Sequence, residues 1–172
     1  MDDVVKFVFT DQVAVAARCL DAGLHNGRLG LLHGVLDEIW DGHKPSHYKV
    51  VGLEVNNVLV GCAVHHRRTH QIMVYVHHAH RRCGHGTALI RGLELMTGVP
   101  RERYHAMHGD EGSEEFYDAV QVVVYPEIEL SVEEATQVLS GDVAVRAMVN
   151  RKKREYRRGW LNRHCAPKVD KE

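Results

Sequence analysis

The sequence predicts an α/β (α+β) domain, and three observations carry that prediction. Short runs rich in β-branched and aromatic residues alternate with stretches whose apolar residues recur at helical spacing. An Asn56-Asn57 pair separates two long apolar runs, a hairpin signal because asparagine tolerates the positive φ of a tight turn. A glycine-rich turn, Arg81-Arg82-Cys83-Gly84-His85-Gly86, stands between a strand-like run and an apolar-periodic helix.

Each element has its own signal. Val4 to Thr10, rich in Val and Phe, predicts a first strand. Thr10 or Asp11 then caps a helix reaching about Leu24, with Ala14, Ala17, Cys19, Leu20 and Leu24 along one face. Leu29, Leu32, Val35, Leu36, Ile39 and Trp40 fall at helical spacing, and Gly42 and Pro45 stop that second helix. Tyr48 to Val55 and Val58 to His66 form the predicted hairpin. Arg67 to His70 turns into a fourth strand over residues 71–77. Beyond the glycines a helix covers Thr87 to Met96, ended by Gly98 and Pro100. Tyr104 to His108 predicts a short strand, Gly112 to Val120 a short helix, and Val122 to Tyr125 a last strand.

The C-terminal segment reads as helical. Ser131-Val132-Glu133-Glu134 has the capping-box spacing, and the short helix that follows breaks at Gly141. Asp142 caps a longer helix running into Arg151-Lys152-Lys153-Arg154-Glu155-Tyr156-Arg157-Arg158-Gly159-Trp160. Val143 to Val149 has enough β-branched residues to be read alternatively as a strand.

Composition bounds the class. A chain of 172 residues, 44% of them apolar, has the size of one domain with a substantial core. No apolar run approaches the ~20 residues that span a bilayer. The acidic start Met1-Asp2-Asp3 lacks a secretory pattern, and the four cysteines show no close pairing. These features predict a cytoplasmic protein with free thiols and no membrane contact. Charge is unevenly placed. Residues 1–145 hold 12 Lys/Arg against 20 Asp/Glu, and residues 146–172 hold 10 against 3. An acidic body with a basic end predicts a separate contact for that end, with nucleic acid or with protein, made by residues 146–164.

Local sequence adds a resemblance. Arg81-x-x-Gly84-x-Gly86 differs from both the Lys-Ser/Thr phosphate loop and the dinucleotide fingerprint. It resembles the acyl-CoA pyrophosphate loop of the GNAT superfamily of N-acetyltransferases. Val60-Gly61 sits where that family has Val-Gly in its third strand. Phe116-Tyr117-Asp118-Ala119-Val120 is similar to its Phe-Tyr-Glu-Lys-Leu signature, and the element order β-α-α-β-β-β-α-β-α-β matches through residue 125. The resemblance implies a mixed, mostly antiparallel central sheet with helices on both faces. Residues 1–130 would form the acyl-CoA-binding domain and residues 131–172 a helical, basic extension packed on or tethered to it. It also implies acetyl-CoA as co-substrate and direct acetyl transfer to a primary amine. A homodimer is a further implied possibility. The alternative, drawn from the basic segment, is a module of the same fold without catalysis, acting structurally or on nucleic acid.

The implied site follows residue by residue. Backbone N–H groups of Arg82, Cys83, Gly84, His85, Gly86 and Thr87 would grip the pyrophosphate, with Arg81 adding charge. A bulge in the fourth strand would free main-chain donors around Val74, Tyr75 and Val76 for the acyl-pantetheine arm. Asp110 stands where the family often has asparagine, and Ser113 where it has alanine; both would border that arm. Tyr117 corresponds to the general acid, a phenol that stays protonated at neutral pH with an ordinary pKa of ~10. For the general base, His70 at the start of the fourth strand and His108 at the end of the fifth are the candidates. No metal is expected. His77 and His78, adjacent on a strand, would point to opposite faces, and a loop wrapped on pyrophosphate would not also enclose zinc.

Overall fold

The computed structural model describes residues 4–25, 30–42, 47–107, 113–125 and 131–164. The chain divides into two compact units, Met1–Ala106 and Met107–Glu172.

The first unit is built on a four-stranded antiparallel sheet. It holds β1 (Val5–Val8), β2 (Tyr48–Val55), β3 (Val58–His66) and β4 (Ile72–Val76), in the order β1-β2-β3-β4. Asn56 and Asn57 form the β2–β3 turn with φ of 52° and 66°, the left-handed values the pair predicted. Helices cover both faces, which is why β2 and β3 are apolar along nearly their whole length rather than at alternate positions.

On one face lie α1 (Gln12–Asp21) and α2 (Leu31–Trp40). Asp11 caps α1 by accepting from the amides of Val13 and Ala14, both at 3.1 Å. Val15, Ala16 and Cys19 from α1 and Leu32, Val35, Leu36 and Ile39 from α2 join Val50, Cys62 and Val64 in one buried cluster. On the other face lies α3 (His85–Thr97), which ends at Gly98 with φ 67°. Gly61 makes close approach possible here. A Cβ on it would stand 2.9 Å from the carbonyl oxygen of Tyr75 and 3.1 Å from the Leu89 side chain of α3. The Val-Gly pair thus has a packing reason: only a residue without a side chain admits both neighbours.

The second unit contains α4 (Ser113–Ala119), β6 (Val123–Tyr125), α5 (Val132–Ser140) and α6 (Val143–His164). The short strand β5 (His105–Met107) lies at the division between units. The capping box forms as predicted. Glu134 N–H donates to Ser131 Oγ at 3.1 Å, and Ser131 N–H donates to Glu134 Oε2 at 2.9 Å. Asp142 Oδ1 accepts from the amides of Ala144 and Val145, so Val143 to Val149 is helical and not a strand. The cap and the helical spacing outweigh the β-propensity of three valines. Trp160 closes this unit's core against Val123 and Tyr125, with Leu161 beside it. Among the described residues no helix is long and apolar enough to cross a membrane.

Candidate active site

The site is assembled where β4 leads into α3. The strand ends at Val76, one residue earlier than the sequence predicts. A single 3-10 turn, His78–His80, then leads to the glycines. Arg82 (φ 64°) and Gly84 (φ 78°) both take left-handed conformations. Gly84 is the N-cap of α3, and no side chain caps the helix. The first-turn amides of α3 therefore point outward at the positive end of the helix dipole, with no acidic residue in that turn. Space around Gly84 is open: an added Cβ would meet nothing within 4 Å. Arg81, Arg82, Cys83 and Gly84 are exposed, and His85, Gly86 and Thr87 are half-buried. Backbone donors, open space and two nearby guanidinium groups fit a pyrophosphate.

Arg81 also ties the turn to the strand. Its Nε donates to the Val76 carbonyl at 3.0 Å, and its guanidinium lies 5.7 Å from the centre of the Tyr75 ring. The turn is held to β4 by this contact, and the Arg81 amide itself donates to the His78 carbonyl at 3.4 Å.

The edge of β4 away from β3 presents main-chain groups. His66 N–H donates to the Gln71 carbonyl and His77 N–H to the Val60 carbonyl, both at 2.8 Å. Odd-numbered residues of β4 thus face β3, and strand alternation turns Ile72, Val74 and Val76 to the other side. β5 meets that side through one parallel bridge, Gln71↔His105, with His105 N–H donating to the His70 carbonyl at 3.1 Å. The expected bulge does not occur within β4, whose register with β3 runs continuously from His65↔Ile72 to Gly61↔Val76. Among the described residues one bridge at the start of β4 is its pairing with β5, which leaves the rest of this edge open. Val74 and Val76 carry the amides that face this edge. The Tyr75 amide faces β3, and its ring lies beneath Arg81.

Tyr117 is the buried member of the Phe-Tyr pair at 7% exposure, its ring centre 5.0 Å from that of Phe116. Ser113, at the start of α4, has a buried Oγ with no hydrogen-bond partner among the described residues. His108 and Asp110 lie outside the described residues. His70 is half-buried in a left-handed conformation (φ 61°) just before β4. Its Nδ1 lies 3.1 Å from Nε2 of His65, and its Nε2 lies 3.1 Å from Nη2 of Arg103.

Three participants here escaped sequence reasoning. His65 is 2% exposed at the end of β3, and burial, then the charges of His70, His66 and Arg67, lower its pKa to about 4. It is neutral at physiological pH. Tyr104 packs on His65 with ring centres 5.2 Å apart and shares a 2.8 Å hydrogen bond with Thr97 Oγ1. Burial pushes its phenol above the ordinary range. Arg103, on the 3-10 turn Arg101–Arg103, completes the group. No spacing rule links residues 65, 70 and 103; the β3–β4 pairing brings His65 beside His70, and the turn at Arg101–Arg103 brings Arg103.

The histidines before the glycine turn differ from expectation. His77 and His78 do not diverge: the strand has already ended, and their ring centres lie 4.2 Å apart. Among the described residues no three His, Cys, Asp or Glu side chains are grouped so as to hold a metal ion.

Comparison with known proteins settles the family. Residues 27–119 match the Acetyltransferase (GNAT) family. The chain belongs to the GNAT acetyltransferase family. This GNAT protein is similar in fold to the aminoglycoside N-acetyltransferase AAC(6')-Iy in complex with a CoA-linked acetylneamine bisubstrate analogue. That likeness has a TM-score of 0.52 at 14% identity and covers 76% of this chain and 97% of that one. It is also similar to an acetyltransferase from Trypanosoma brucei, with a TM-score of 0.50 at 19% identity, covering 75% of this chain and 99% of that one. No curated protein matches the sequence at a significant level.

Proposed function

We propose that this GNAT protein is an N-acetyltransferase that moves an acetyl group from acetyl-CoA directly to a primary amine of a small molecule or protein. The observation that carries the reading is the start of α3. Its left-handed Gly84, uncapped amides and flanking arginines adjoin a strand edge with outward main-chain donors. Acetyl-CoA would supply an acyl group already activated as a thioester. The amides of Arg82 to Thr87 hold its phosphates, and Arg81 balances their charge. Val74 and Val76 offer N–H groups to the acyl arm and its carbonyl oxygen. The resemblance gives Asp110 and Ser113 a role beside the same arm.

Proton traffic falls to side chains. His70, or His108, accepts the proton that the amine must lose, and Tyr117 donates one to the departing sulfur. As the C–N bond forms and the C–S bond breaks, the surplus proton on the acylated nitrogen returns to the Tyr117 phenolate, so that a neutral amide and thiol leave and the one proton held by the base goes to solvent. The acceptor class is a cationic amine, such as a polyamine, an aminoglycoside or a lysine side chain. Asp37, Glu38 and Asp41 of the acidic body favour such a substrate.

Thermal unfolding with and without acetyl-CoA, beside a Gly84→Glu variant, tests the reading. A ligand at 100 times its dissociation constant adds about 2.7 kcal/mol to stability. The parent is expected to shift and the folded variant not to. No shift of the parent at millimolar acetyl-CoA overturns it.

A second reading rests on α6. Arg151, Arg154 and Arg158 are all exposed, and their spacing of three and four residues puts them on one face, over about 10 Å of helix. A stripe of guanidinium groups suits a phosphate backbone, which would make the basic segment a nucleic-acid contact, with or without catalysis.

A further inference from the structure

The hydrogen bonds around His70 fix where its proton sits. A guanidinium group only donates, so Arg103 Nη2 at 3.1 Å requires a lone pair on His70 Nε2. Neutral His70 must then carry its proton on Nδ1, which faces His65 Nε2 at 3.1 Å. That nitrogen accepts, so His65 in turn carries its proton on Nδ1. This last atom is buried and has no hydrogen-bond partner among the described residues. All three groups donate in the same direction, from Arg103 through His70 to His65. The opposite tautomer of His70 would set two donors against each other at Nε2. The two imidazoles stack at 14° between ring planes, and Tyr104 packs on His65, so the inner ring has little freedom to turn.

We infer that His65 is a positioning residue that holds His70 as its Nδ1–H tautomer with Nε2 as the proton-accepting atom, and that Arg103 occupies the place on Nε2 which the acceptor amine takes. The inference rests on the reading of His70 as general base. When the amine gives its proton to Nε2, the imidazolium keeps its Nδ1–H bond to His65, now strengthened by the charge. Burial disfavours a charged His65, so the proton stays on His70 and leaves to solvent rather than passing inward. Arg103, on a surface turn, must move off Nε2 before the acceptor approaches. Its cationic nitrogen marks the seat of another cationic nitrogen.

The test uses the full chain labelled with 15N, with ring tautomers read from two-bond proton–nitrogen correlations at pH 7.5. The parent is expected to show Nδ1–H and a bare Nε2 for both His65 and His70. His65→Gln keeps an acceptor near the place of Nε2 and is expected to preserve the His70 tautomer. His65→Leu is expected to move it toward Nε2–H. Turnover is then measured on whichever of a polyamine, an aminoglycoside and a lysine peptide the parent acetylates fastest. The Leu variant should lose tenfold or more in kcat with KM for acetyl-CoA unchanged, and the Gln variant should recover most of it. Nε2–H on His70 in the parent, or full kcat in the folded Leu variant, overturns the inference. Full turnover by His70→Gln instead removes His70 as base while leaving the tautomer measurement intact, so the two failures are told apart.

Discussion

The indole Nε1–H of Trp160 donates to Asp118 Oδ1 at 3.3 Å, joining residues 42 apart in sequence within the C-terminal unit. Trp160 is 4% exposed and touches Val123 and Tyr125, so it anchors the basic helix α6 near its end, with Tyr156 and Lys153 also set against the Tyr125 ring. Trp160→Ala should cost about 3–5 kcal/mol through lost burial and the cavity left behind. Trp160→Phe should cost much less, keeping the ring but losing the bond to Asp118. Denaturant titration followed by far-ultraviolet circular dichroism checks both, and equal losses would show that the hydrogen bond rather than packing holds the helix.

His65 makes stability depend on pH with a definite sign. Its folded pKa is lowered from 6.5 to about 4, mainly by burial, so between those values the unfolded chain binds more protons than the folded one. The contribution of His65 is therefore complete above pH 6.5 and lost as pH falls through 4. The shift corresponds to roughly 3 kcal/mol. Urea midpoints at pH 7.5, 5.5 and 4.0 should fall more steeply for the parent than for His65→Gln. Parallel slopes would remove His65 as the cause.

Glu94 and Arg101 give a second acid-sensitive contact at a lower pH. The Arg101 guanidinium, 2.7 Å from Glu94 Oε2, holds the carboxyl below its usual range. A depressed carboxylate stabilises the fold above its unfolded pKa, near 4.5, and that stability is lost as pH falls through the lower folded value. Glu94→Gln should therefore narrow the gap between variant and parent only below about pH 4.5. A gap that narrows between pH 7 and 5 would point elsewhere.

Tyr117→Phe tests the proposed acid separately from the proposed cofactor site. If the phenol protonates the leaving sulfur, kcat should fall about 100-fold or more while acetyl-CoA still raises the melting temperature as in the parent. Loss of both would mean that the buried hydroxyl serves the fold instead.

The arginine stripe of α6 predicts a salt signature. Replacing Arg151, Arg154 and Arg158 by Gln should weaken binding to duplex DNA or RNA and reduce the slope of log K against log salt by about 2–3. Fluorescence anisotropy at 50 to 200 mM salt measures it. Identical slopes for parent and variant would leave the stripe as a solvated helix face.

Much of this architecture is legible in the sequence because the signals are local. Tyr48–Val55 and Val58–His66 are joined by an asparagine turn, although a bulge between Leu53 and Glu54 that no local signal announces shifts their register by one residue. Asp11, Gly98, Ser131 and Asp142 mark helix ends through their own hydrogen bonds or φ values. The glycine turn is legible for the same reason, since its glycines and its helix are neighbours in the chain. The β4 edge is legible only in part: its location follows from the resemblance, but which amides face outward depends on pairing with β3. His65 and Arg103 are not legible at all. Each looks like one more histidine or arginine among many until the β3–β4 register and the turn at residues 101–103 set them against His70.

Gly61 has a consequence that reaches beyond packing. One missing methyl lets the Leu89 side chain of α3 and the Tyr75 carbonyl of β4 meet over the same point of β3. The helix carries the anion-facing amides at its start, and the strand carries the edge donors at Val74 and Val76. Gly61 is therefore a spacer of zero length: if those amides and those donors hold the two ends of one elongated ligand, as proposed, it would set the distance between them without touching it. Enlarging it would lengthen the molecular ruler, so on the proposed reading the span of the accepted thioester is written into a residue beneath the sheet surface.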